Sequence, residues 1–120
     1  MLISIIIPVI RPEKAKRCIE AIRRNAGIPE KPATKFGYGY DASYQYEIIT
    51  EEDKDRIGVT KMVKRLTDKS KGEMVCFIGD DCIPQPDFLR NAIRAMEAIP
   101  DGWGMVSFND NPNTTRSAAH

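Results

Sequence analysis

The first apolar stretch of the chain, residues 3–9 reading ISIIIPV, is nearly continuous rather than alternating and is dominated by β-branched side chains. An unbroken run of that kind predicts a strand covered on both faces, the central position of a parallel sheet. From Pro12 the pattern changes to helical spacing, with Ala15, Cys18, Ile19 and Ile22 recurring on one side until Gly27. Proline suits a first helical turn and glycine the position just past a last one, so a helix is predicted over 12–26. Residues 28–45 carry Phe36, Tyr38, Tyr40 and Tyr44 among prolines and glycines with no settled period and read as a loop.

The alternation then repeats. YEIIT at 46–50 predicts a short strand, followed by Glu51, Glu52 and Asp53, and Met62, Val63 and Leu66 predict a helix over 59–70 closed near Gly72. EMVCFI at 73–78 is a second buried-strand pattern, ending in Gly79-Asp80-Asp81. Phe88, Leu89, Ile93, Met96 and Ile99 share one face of a third helix opening near Pro86, and a last strand is predicted over 103–108. Residues 111–120 show no period and read as an irregular tail after a domain spanning 1–110. Strands alternating with helices predict an α/β fold, three-layered and Rossmann-like, with a mostly parallel sheet whose ligands sit beyond the carboxyl ends of the strands.

Composition narrows the function classes. In 120 residues, 42% hydrophobic and 29% charged, there is material for one core and no sign of disorder. Eighteen Lys and Arg against 17 Asp and Glu give a net charge of +1, too little basic field to make nucleic acid a default partner. The longest apolar run, residues 2–10, is interrupted by Pro8, is too short to span a bilayer and lacks the layout of a signal peptide. Cys18, Cys76 and Cys82 form neither a disulfide framework nor a zinc pattern. Free thiols and the lack of a predicted span together point to the cytoplasm.

Parallel strands would gather Pro8, Val9, Ile10 and Arg11, then Glu51 to Asp53, then Gly79 to Cys82, along one edge. Crowded carboxylates call for a compensating cation, which suits a hard divalent metal holding an anionic ligand. Asp80 and Asp81 equally suit caps of the turn and helix that follow.

The segments ISIIIPV, RPEKAKRCIEAI and YEII, and above all KGEMVCFIGDDCIPQPDFL, resemble the nucleotide-sugar-binding half of family 2 glycosyltransferases, which have the GT-A fold. The similarity runs over residues 3–108. It implies transfer of a sugar from a nucleoside diphosphate sugar, a UDP-sugar first among them, to an acceptor hydroxyl with the help of Mg²⁺ or Mn²⁺. By the same resemblance Pro8, Val9, Ile10, Glu52 and Asp53 hold base and ribose, and Thr60, Lys61 and Lys64 lie near the nucleotide. Asp81 then coordinates the metal, with Asp80 at the metal or the ribose. The family's Asp-x-Asp reads Gly79-Asp80-Asp81 here, so its first carboxylate is missing. The acceptor-binding half and its general base are not among these residues, which implies a truncated or minimal domain. His120 falls where that half would begin, and the tyrosine-rich loop is longer than is usual in the family.

Two other classes compete. A receiver-like signalling domain needs acids after the first strand, where this chain has Pro8, Val9, Ile10 and Arg11, and a lysine from a later strand. A non-catalytic nucleotide-binding or assembly module of degenerate transferase type is favoured by Gly79. Cys18 and Cys76 read as core, Trp103 as a packing residue, and Cys82 is a poor ligand for Mg²⁺.

Overall fold

The computed structural model describes residues 1–31, 44–99, 105–108 and 115–118. The elements are β1 (Leu2–Val9), α1 (Pro12–Asn25), β2 (Gln45–Glu52), α2 (Val59–Lys69), β3 (Met74–Phe77), α3 (Phe88–Glu97), β4 (Met105–Phe108) and β5 (Thr115–Ala118). Phe36, Tyr38, Tyr40, Trp103 and His120 lie outside the described residues.

β1 is central, as its unbroken apolar run requires. It pairs in parallel with β2 from Leu2↔Gln45 to Val9↔Glu52 and with β3 from Ile3↔Met74 to Ile6↔Phe77, giving the order β2-β1-β3. Successive strand residues face opposite sides of the sheet. Ile3, Ile5, Ile7 and Val9 therefore join Ala15, Cys18 and Ile22 of α1 and Phe88, Leu89 and Ile93 of α3 in one buried cluster. Ile6 is also fully buried, and α2, with Met62 and Leu66 buried, lies against β1 and β2. The result is an α/β fold with a three-strand parallel sheet between helices, compatible with a Rossmann-like architecture. Each isoleucine so enclosed contributes about 1.5–3 kcal/mol.

One polar residue sits inside this sheet. Ser4 is fully buried; its hydroxyl donates to Glu47 Oε2 and accepts from the Gly72 amide at 2.8 Å. The same Glu47 oxygen accepts from the Lys71 amide at 3.1 Å, and the Glu73 amide donates to Leu2 O at 2.8 Å. A Cβ at position 72 would lie 2.6 Å from Ser4 N and Oγ, so only glycine lets the chain pass this close before entering β3.

Two features depart from the sequence pattern. β4 does not extend the parallel sheet; it pairs antiparallel with β5, from Met105↔Ala118 to Phe108↔Thr115, and α3 lies against both. The reading of 111–120 as an irregular tail is corrected accordingly, since Thr115–Ala118 is a strand. Its sequence, TRSA, has no apolar alternation, and the strand is defined by backbone pairing to its neighbour. β2 is also longer than the 46–50 pattern and takes in Glu51 and Glu52, which continue the ladder against Pro8 and Val9. No helix among the described residues is long and apolar enough to cross a membrane.

Candidate functional site

In a parallel sheet the carboxyl ends of the strands open on one edge, and here α1 and α2 begin at that edge. β1 ends at Val9, the chain turns at Ile10 and Arg11, and α1 starts at Pro12. The turn is held from the turn that follows β3. Asp80 Oδ2 accepts from the amides of Ile10 (2.8 Å) and Arg11 (2.7 Å), while Oδ1 accepts from Arg11 Nη2 at 2.7 Å. Asp80 is only 2% exposed. Burial pushes its carboxyl up, but the two amides and the guanidinium outweigh that penalty and hold it below the usual carboxylate range. The hydrogen bond to Asp80 in turn raises the Arg11 guanidinium.

Asp81, beside it, is exposed, with Oδ2 3.6 Å from Arg11 Nη1. The Cys82 amide donates to Gly79 O at 3.1 Å and tightens the turn. A Cβ built on Gly79 would lie 3.3 Å from Asp81 Oδ1, so positions 79 and 81 face one another. Burial pushes the Cys18 thiol, which donates to Gly79 O at 3.7 Å, up to about 11 and the Cys76 thiol up to about 12.

At the end of β2, the Asp53 amide donates to Val9 O at 2.8 Å. Its carboxylate turns to the chain ahead: Oδ1 accepts from the Ile57 amide at 2.8 Å and Oδ2 from the Gly58 amide at 3.0 Å. Gly58, with φ of +97°, caps α2. Glu51 pairs with Arg65 at 3.0 Å and with Lys69, whose hydrogen bond lowers the Glu51 carboxyl. Glu52 is exposed and lies on the divide between two pockets. One, about 490 Å³, is bounded by the residues after β2 together with Met62 and Arg65 of α2. The other, about 450 Å³, has an apolar floor of Val9, Pro12, Ala15 and Ile19, with Lys16 and Arg23 among its walls.

The structure thus gathers Val9, Ile10, Glu52, Asp53, Asp80 and Asp81 at one edge. Val9 is buried and Ile10 exposed, while Pro8 is buried within β1. Thr60 and Lys61 stand exposed in the first turn of α2. Lys64 lies a turn further along and pairs with Asp68 at 3.4 Å. The residue to which the sequence assigned no role is Arg11. Its only sequence signal is a cation placed directly after the first strand, among strand-end acids.

A hard divalent ion takes six or more oxygen ligands, with several supplied by the protein or its substrate. Both Asp80 oxygens are already engaged by three donors, leaving Asp81 and the soft thiol of Cys82. Among the described residues there is no group of three or more His, Cys, Asp or Glu side chains suited to a metal. This donor set does not fit a resident divalent ion. The chain matches no family model, no curated protein and no solved structure.

Proposed function

We propose that the strand-end crevice binds the nucleoside diphosphate part of an activated sugar, a UDP-sugar first among the candidates, and that the domain serves glycosyl transfer to an acceptor hydroxyl. The observation that carries this reading is the strand order β2-β1-β3, in which the β1–α1–β2 connection runs to one side of β1 and the β2–α2–β3 connection crosses to the other. In open parallel sheets such a switch point opens a crevice beyond the strand ends, where ligands usually bind. The pocket floored by Val9, Ala15 and Ile19 suits a flat base, and Glu52 at its edge can accept from base N–H or ribose hydroxyl groups. Asp53 and Asp80 act as positioning residues, the first for the start of α2 and the second for Arg11. In the transfer step an acceptor oxygen attacks the anomeric carbon, the bond to the diphosphate breaks, and the acceptor proton passes to a base supplied from outside these residues. Cys18, Cys76 and Cys82 are all free thiols, which supports a cytoplasmic setting.

The missing carboxylate at Gly79 favours a second reading, a nucleotide-binding module without transfer activity. Calorimetry with nucleoside diphosphates of the common bases tests the binding that both readings share. Saturable binding that weakens about tenfold in Glu52→Gln is expected, as for loss of a charged hydrogen-bond acceptor. No heat with any of them would end both readings. Given binding, release of free nucleoside diphosphate from the sugar donor in the presence of an acceptor separates transferase from module.

A further inference from the structure

We propose that Arg11, and no divalent cation, supplies the positive charge that meets the diphosphate in this crevice. The inference rests on the nucleotide-binding reading above and concerns how that site balances charge. Asp80 spends both oxygens on the Ile10 and Arg11 amides and on Arg11 Nη2, so it is a brace for the arginine rather than a metal ligand. Arg11 remains 47% exposed although its partner is buried. Among the described residues its Nε has no hydrogen-bond partner, and Nη1 makes only the loose 3.6 Å contact to Asp81. A guanidinium carries five N–H donors in a rigid fork, so most of these remain for phosphate oxygens. Fixing that fork from below by a buried carboxylate lowers the ordering cost of binding an anion.

A divalent ion at Asp81 would meet this same guanidinium at close range and be repelled by it. An anion has the opposite problem. Arg11, Asp80 and Asp81 together carry one net negative charge, so Asp81 repels a diphosphate approaching the free donors of Arg11. The two ways of balancing charge therefore give Asp81 opposite roles: a ligand where a metal is used, a competitor where Arg11 is used.

The test is calorimetry of uridine diphosphate, and of whichever nucleoside diphosphate binds best, with EDTA or with excess Mn²⁺, on the parent, Asp81→Asn and Arg11→Gln. The expected result is parent affinity with EDTA within about twofold of that with Mn²⁺, binding in Asp81→Asn tighter by about threefold or more, and in Arg11→Gln weaker by about tenfold or more. Asp81 is exposed and lies on a turn, so its variant is not exposed to a folding failure that would blur the answer. Binding that requires Mn²⁺, or that is lost or unchanged in Asp81→Asn, overturns the inference and leaves the nucleotide reading standing. A parent that binds no nucleoside diphosphate under either condition overturns both.

Discussion

Asp80 takes hold of Arg11 at two points, its Oδ2 accepting the backbone amide at 2.7 Å and its Oδ1 accepting the guanidinium Nη2 at 2.7 Å. The bond joins positions 69 residues apart and ties the turn after β3 to the turn between β1 and α1. A carboxylate enclosed to this degree remains charged only because its donors replace the water it has lost.

That arrangement makes stability depend on acid in a definite direction. The folded Asp80 carboxyl lies below its ordinary value, so its contribution is complete above about pH 4, the unfolded range, and is lost as pH falls through the folded value. Asp80→Asn should lower stability at pH 7 by about 2–4 kcal/mol, as for loss of one partner of a buried ion pair with charged hydrogen bonds. Urea unfolding of variant and parent should show the gap narrowing as the pH falls below about 4. A gap of equal size at neutral and acid pH would mean that the loss comes from packing and not from charge.

The parts of this fold legible in the sequence are those whose cause is local. β1 shows itself because every residue from Ile3 to Val9 is buried, which leaves an unbroken apolar run. The helices show themselves because Ala15, Cys18 and Ile22, Met62 and Leu66, and Phe88, Leu89 and Ile93 are the buried faces of α1, α2 and α3. Lys71-Gly72-Glu73 stands out in the sequence, but its reason, the backbone of Gly72 pressed onto Ser4, exists only in three dimensions. β5, reading TRSA, has no apolar alternation and is marked only by its backbone ladder to β4, and Arg11 is marked only as a cation after the first strand because its partner Asp80 is distant in the chain. Asp53 is a case where a local signal was available: an aspartate four and five residues ahead of the turn amides it binds, with Gly58 at the helix start.

For Asp53 the competing roles make different predictions. Its two amide bonds to Ile57 and Gly58, which hold the turn leading into α2, predict that Asp53→Ala lowers stability by about 1 kcal/mol, the usual net worth of such hydrogen bonds. Asp53→Asn, which keeps an oxygen for one amide, should recover most of that loss. Thermal melts of the three proteins, run beside nucleoside diphosphate binding, check the point. An Asp53→Asn variant with parental melting but no ligand affinity would show that the carboxylate contacts the ligand itself and does more than hold the turn before α2.

Position 79 offers a place to set a second carboxylate beside Asp81. Its φ lies outside the left-handed range, and a Cβ there would stand 3.3 Å from Asp81 Oδ1 and 3.6 Å from Cys82 Sγ, close contacts with the flexible ends of exposed side chains. Gly79→Asp should therefore fold, with a carboxylate set beside Asp81. Without metal the two like charges repel, and melting should fall slightly below the parent. With Mn²⁺ the pair can share one ion, and because that ion binds only the folded state it should raise the melting temperature in proportion to its occupancy. The parent, whose Asp80 is committed to Arg11 and whose Asp81 already faces the same guanidinium, should show little response. Melting curves with and without Mn²⁺, together with electron paramagnetic resonance of the free ion, measure both effects. A parent stabilised by Mn²⁺ as strongly as Gly79→Asp would mean that Asp81 already belongs to a complete metal site, and that Arg11 yields its place to the ion.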